Sequence, residues 1–98
     1  MSDFDMNKYE ILLKKTHKIY GTFHQMVQTV EELSELIKAI TKFINNKCDE
    51  HKIAEEIADV EIMVHQLKNI LNINQNEINE IKIQKLNRLE KRLNDIKT

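Results

Sequence analysis

Residues 30–37 read Val-Glu-Glu-Leu-Ser-Glu-Leu-Ile, and this stretch decides the predicted fold. Its apolar positions Val30, Leu33 and Ile37 are separated by three and four residues, which is the period of a helix with one apolar stripe. The same steps continue in both directions, through Met26, Ile40 and Ile44. We therefore predict a helix over about residues 23–46 whose apolar seam packs lengthwise on other helices.

Three further helices are predicted around this one. Together the four cover about residues 5–20, 23–46, 50–71 and 75–97. Gly21 can end the first helix, Asp49 can cap the third, and Asn74 opens the fourth in a pattern that resembles a capping box. Short connections favour antiparallel neighbours. We predict an all-α protein, an antiparallel four-helix bundle in one domain over residues 1–98, with its core completed by homo-oligomerisation.

The composition supports this fold class and excludes several functions. The 98 residues include no Pro, one Gly and 32% charged residues, which suits helices with solvated outer faces. Lys and Arg total 15 against 16 Asp and Glu, so no strongly basic surface for nucleic acid is expected. The single cysteine cannot form an internal disulfide, and no signal peptide or membrane span is apparent in the sequence. We expect a cytoplasmic protein that binds neither nucleic acid nor membrane.

Two acidic stretches, Glu-Glu-Leu-Ser-Glu at 31–35 and Glu-Glu-Ile-Ala-Asp at 55–59, carry the candidate chemistry. Each places two carboxylates three residues apart on one helix surface, Glu32 with Glu35 and Glu56 with Asp59. On a helical wheel one member of each pair lies among apolar residues and the other at the edge, whereas the neighbours Glu31 and Glu55 point outward.

A carboxylate on a buried face must be protonated, paired with Lys or Arg, or bound to a divalent cation. A set of oxygen ligands without His or Cys suits Mg²⁺, with Mn²⁺ as a substitute, better than Zn²⁺. Glutamates at this spacing are also common on solvated helix surfaces, and that alternative stays open. His65 lies on the side of the predicted third helix opposite the apolar residues that surround Glu56. We therefore expect His65 to be exposed to solvent.

The motif Glu-Glu-x-x-Glu, 20 intervening residues and Glu-x-x-Asp resembles the MazG-like all-α nucleoside triphosphate pyrophosphohydrolases. Gln25 before the first motif and the basic segment at residues 85–92 are also similar to short phage and bacterial members, so the resemblance covers about residues 22–93. It implies a Mg²⁺-dependent enzyme that converts a (d)NTP to the monophosphate and pyrophosphate. It implies metal ligation by the carboxylates Glu32, Glu35, Glu56 and Asp59.

Other residues receive roles from this hypothesis. Glu35 or Glu31 is the candidate that orients the attacking water, and Gln25 and Gln28 are candidates for binding the base or sugar. Three cations of the fourth helix are candidates for binding triphosphate oxygens: Lys85, Arg88 and Arg92. Their stems can equally cover the core while their heads reach solvent. A homodimer or homotetramer is expected.

Two alternatives to an enzyme remain. The chain can be a non-catalytic helical interaction module whose acidic pairs form salt bridges with the basic fourth helix, without any metal. It can also be a family member that binds nucleotide without turnover. Metal-dependent stabilisation and product release separate these hypotheses.

Overall fold

A computed structural model describes residues 4–96, all of whose regular structure is helical. The helices are α1 (Met6–Tyr20), α2 (Thr22–Ile44), α3 (Glu50–Leu71) and α4 (Gln75–Asp95). The all-α prediction is therefore confirmed, and the helix bounds agree with those predicted to within two residues. Residues 1–3 and 97–98 of the predicted domain, including residue 97 of the predicted fourth helix, lie outside the described residues.

Short polar side chains and one glycine set the helix ends. Asp5, Asp49 and Asn74 are the N-caps of α1, α3 and α4, and each accepts hydrogen bonds from backbone N–H groups of the first turn. Gly21 separates α1 from α2 with a φ of +86°, a conformation that other residues rarely adopt. The two predicted caps, Asp49 and Asn74, are thus confirmed.

Helices α2 and α3 form the main packing unit, and their contacts proceed in opposite sequence order. Near the start of α2, Gln25 accepts a hydrogen bond from Gln66 at 3.0 Å. Near its end, the carbonyl of Ala39 accepts one from Cys48 at 3.4 Å. Helix α1 joins this pair through Leu13, its only buried described residue, whose carbonyl accepts from Gln66 at 2.8 Å.

The surface by which α2 contacts its neighbours is not the predicted apolar seam. The buried residues of α2 are Gln25, Thr29 and Ala39. Val30 and Ile37 of the seam are each 65% exposed. Each buried residue of α2 comes one position before a residue of the seam. The buried face is therefore rotated from the seam by about 100° about the helix axis. Within one chain the small and amide side chains make the close contacts, and the seam remains open.

Helix α4 also leaves its apolar residues open, because none of its described residues is buried. Leu86 is 60% exposed and Leu93 is 58% exposed. The chain exposes 8333 Å², whereas a folded monomer of this size exposes about 5,900 Å². Its radius of gyration is 17.2 Å, compared with about 13 Å for a compact domain of this length. Two apolar helix surfaces therefore lack a partner among residues 4–96.

None of the helices within residues 4–96 combines the length and the apolar character needed to cross a bilayer.

Candidate metal centre

Three carboxylates from two helices converge where α2 passes α3. Glu32 of α2 and Glu56 and Asp59 of α3 each offer one oxygen, and these oxygens lie within 4.8 Å of one another. Glu56 is 6% exposed, Glu32 is half-buried and Asp59 is exposed. The i,i+3 spacing on α3 places its two carboxylates side by side, and the packing of α2 adds the third. We call these three residues the carboxylate cluster.

Two polar side chains contact the carboxylate cluster from within its own helices. The amide of Gln28, one turn before Glu32, donates to Glu32 Oε1 at 2.9 Å. Lys52, one turn before Glu56, places its Nζ 3.0 Å from Glu56 Oε1. The hydrogen bond and the charge of Glu56 raise the pKa of Lys52, and desolvation opposes this rise only partly. Each helix thus supplies one partner to its own carboxylate.

The fourth predicted ligand lies outside this convergence. Glu35 does not belong to the group of three, and its exposed carboxylate forms an ion pair with Lys38 at 3.3 Å. Its charge nevertheless contributes to the raised pKa of Lys52. Glu31, the other candidate for orienting water, is exposed, as predicted from the wheel. The structure therefore brings together three of the four predicted ligands.

The two predicted base-binding glutamines have different surroundings. Gln25 is 3% exposed, and its amide is engaged by Gln66 at 3.0 Å and by His24 Nδ1 at 3.2 Å. Gln66 is 1% exposed and joins α1, α2 and α3 through its amide. Gln28 is less buried and faces the carboxylate cluster. Gln25 is therefore part of the polar core, and Gln28 is the more accessible glutamine.

A groove of about 410 Å³ begins beside Gln28 and runs between α1, α2 and α3. At its rim the ring of Tyr20 stacks on that of His24, with centroids 4.7 Å apart. Its lining also includes Leu13, Thr16, Gln25, Ile62 and Met63. Gln28 lines the groove and donates to Glu32, so this one side chain adjoins both the groove and the carboxylate cluster.

The three predicted phosphate-binding cations share one exposed surface of α4. Lys85, Arg88 and Arg92 lie there beside Lys91 and Asp95. In the part of the chain that the structure describes, no hydrogen bond or ion pair joins them to the carboxylate cluster. Within one chain the cation that pairs with Glu56 is Lys52, not a residue of α4.

Sequence analysis missed two contacts that the spacing of residues could have indicated. Lys52 and Glu56 are four residues apart, the usual spacing of a helical ion pair. Gln66 lies three residues after Met63 and four before Ile70, one helical turn from each, and an amide that is buried there needs an internal partner. The exposure expected for His65 was wrong: it is half-buried and contacts Glu10, a contact that lowers the pKa of Glu10.

The donor set of the carboxylate cluster fits a hard divalent cation. It consists of oxygens only, with a buried carboxylate at its centre, and Mg²⁺ and Mn²⁺ prefer such ligands. Compared with known proteins, the chain matches no family model, no curated protein and no solved structure.

Proposed function

We propose that the chain is a Mg²⁺-dependent nucleoside triphosphate pyrophosphohydrolase that converts a (d)NTP to the (d)NMP and pyrophosphate. One observation carries the proposal. The carboxylates of Glu32, Glu56 and Asp59 meet within 4.8 Å at a helix junction where one of them is buried. These three are among the four carboxylates that the motif resembling the MazG-like family implies as metal ligands.

The charges of the cluster favour a bound cation. Three carboxylates at this separation repel one another, and the ammonium of Lys52 is the only ion-pair partner that the described residues give them. Gln28 supplies one neutral donor to Glu32. A divalent cation would neutralise the excess negative charge and would leave coordination positions for phosphate oxygens and water.

Individual residues have distinct roles in the proposed reaction: they bind the metal, orient the attacking water and bind the nucleoside. Glu32, Glu56 and Asp59 would hold Mg²⁺, with Glu35 as the candidate fourth ligand, and the ion would supply charge neutralisation at the phosphates and a more acidic bound water. Glu35 or Glu31, the exposed neighbours of Glu32 on α2, would orient the attacking water. The groove beside Gln28 receives the nucleoside, so the triphosphate extends towards the carboxylates.

The exposed surfaces of α2 and α4 support a homodimer or homotetramer. The chain exposes roughly 2,400 Å² more than a compact monomer, which exceeds the area of about 800 Å² that each partner buries in a standard-size interface. Burying the seam of α2 against helices of a second copy would complete an antiparallel four-helix bundle. In such an assembly Lys85, Arg88 and Arg92 of α4 bind the triphosphate.

A nucleotide-panel assay tests this proposal. Purified protein is incubated with each (d)NTP in Mg²⁺ and in Mn²⁺, and both products are identified. We expect pyrophosphate and the monophosphate from at least one substrate, and no release with Glu56→Gln or Asp59→Asn. Glu61→Gln, a carboxylate of α3 outside the cluster, is the matched control and should retain activity. Absence of pyrophosphate across the whole panel would refute the proposal.

The exposed apolar surfaces also favour a second candidate, a non-catalytic helical interaction module. This alternative predicts no specific gain in stability from millimolar Mg²⁺. It also predicts a higher melting temperature when Glu32 and Glu56 are both replaced by Leu, because two buried or half-buried charges are removed. Calorimetric binding of Mg-nucleotide without product would instead indicate a protein that binds nucleotide without turnover.

A further inference from the structure

The carboxylate of Glu56 is buried and therefore needs a cation or hydrogen-bond donors as partners. Its side chain is 8% exposed, and an ionised carboxylate in such a place is strongly destabilising unless a cation or several donors pair with it. Lys52 meets this requirement from the preceding turn of α3, with Nζ 3.0 Å from Glu56 Oε1. A partner for Glu56 is thus built into the helix and is present without any metal.

The same ammonium has a second acceptor nearby. Glu55 Oε2 lies 4.0 Å from Lys52 Nζ, on the solvent side of α3. The Glu55 side chain is 52% exposed, so its pairing with a cation involves little desolvation. Because Glu55 and Glu56 follow Lys52 by three and four residues, rotation of the flexible lysine stem moves the ammonium from one carboxylate to the other.

We infer that Lys52 is a positioning residue with two states, paired with Glu56 when the carboxylate cluster holds no metal and moved to Glu55 when a divalent cation binds. The inference rests on the proposed metal site. A divalent ion and an ammonium on one carboxylate repel each other, so metal binding releases Lys52 from Glu56. Lys52 therefore lowers the metal affinity while it offsets one of the three negative charges of the metal-free cluster.

Mn²⁺ binding, measured calorimetrically on the full chain with Mn²⁺ alone, tests the exchange. Lys52→Met should tighten Mn²⁺ binding roughly 1.5- to 5-fold, the range of a partly exposed ion pair. Lys52→Arg should restore an affinity close to that of the original chain. Lys38→Met is the matched control: Lys38 pairs with Glu35 outside the carboxylate cluster, so this variant should change the affinity less.

A double-mutant cycle distinguishes the movement of Lys52 from Glu56 to Glu55 from the general effect of a lost negative charge on Mn²⁺ affinity. Glu55→Gln should weaken Mn²⁺ binding in the original chain because Lys52 loses its second acceptor. In the Lys52→Met background the effect of Glu55→Gln should shrink to that of Glu61→Gln. Equal effects of Glu55→Gln in both backgrounds, or no tightening with Lys52→Met, would overturn the inference.

Thermal melting in EDTA and in Mn²⁺ shows whether each variant folds and adds a second readout. Lys52→Met should melt at a lower temperature in EDTA and regain the difference in Mn²⁺, because only the metal then pairs with Glu56. No Mn²⁺ binding by the original chain would refute both the metal site and this inference. Mn²⁺ binding with an additive cycle would refute the inference alone.

Discussion

Replacing Asp59 by Asn should stabilise the protein without metal and abolish its response to metal. Asp59 is the exposed member of the carboxylate cluster, and Asn has nearly the same shape, so the substitution removes a charge without disturbing packing. An account based on ordinary surface carboxylates predicts neither change. The opposite signs of the two effects make this variant informative.

The magnitudes follow from the geometry. Two carboxylate charges separated by 4.8 Å repel by about 0.9 kcal/mol in bulk water and by about 3.5 kcal/mol at an effective dielectric constant of 20. Because Asp59 is exposed and Lys52 offsets part of the charge, we take the low end, about 1 kcal/mol. For a domain of this size that is an increase of about 4–8 °C in melting temperature.

In Mg²⁺ the original chain should be more stable than Asp59→Asn, which is the reverse of the order expected without metal. At a concentration one hundred times its Kd, a ligand that binds only the folded state adds about 2.7 kcal/mol, which raises the melting temperature by roughly 10–20 °C. The original chain should show this gain and Asp59→Asn should not. Thermal melts are followed by circular dichroism at fixed protein concentration, in EDTA and across a Mg²⁺ titration.

Glu61→Gln on the same helix is the matched control and should keep the full Mg²⁺ gain. The reasoning is refuted if Asp59→Asn and Glu61→Gln respond equally to Mg²⁺. It is also refuted if Asp59→Asn destabilises the metal-free protein, because that result would mean that the carboxylate forms a net favourable contact there.

Other parts of the structure give further predictions. Gln66→Leu removes two buried hydrogen bonds and leaves Gln25 Oε1 without its donor, so urea unfolding should show a loss of about 1–3 kcal/mol, whereas unchanged stability would contradict the role of this amide. The lowered pKa of Glu10 means that its contact with His65 stabilises the fold above pH 4.5 and is lost as the pH falls through the lowered pKa. The stability difference between the original chain and Glu10→Gln, measured from pH 7 to pH 3, should therefore shrink in acid, and a constant difference would refute this. Leu86→Glu on α4 should shift an oligomer towards monomer in analytical ultracentrifugation, and an unchanged sedimentation coefficient would exclude that face from the interface.

Local sequence signals were sufficient to predict the helices and their starts. Asp49 and Asn74 cap helices because a short side chain reaches the free N–H groups of the first turn, a contact within four residues of sequence. The pairing of Glu56 with Asp59 is local in the same sense. Such features depend only on residues that are close in sequence, so they can be predicted from a single sequence.

Features that depend on how helices face one another were not predictable in this way. The seam through Val30 and Ile37 identified an apolar stripe, but hydrophobicity does not specify whether the same chain or another covers it. The exclusion of Glu35 from the carboxylate cluster depends on the rotation of α2 against α3. The burial of Gln66 depends on two acceptors that lie more than 40 residues away in sequence.

The central claim is that the carboxylate cluster holds a metal that supports cleavage of a phosphoanhydride bond. The most direct test compares pyrophosphate release from the best (d)NTP by the original chain and by Glu56→Gln, at equal Mg²⁺ and with folding checked by circular dichroism. Loss of a buried ligand should remove several kcal/mol of transition-state stabilisation, a decrease in rate on the order of a hundredfold or more. A folded Glu56→Gln variant that releases pyrophosphate at the original rate would contradict the claim.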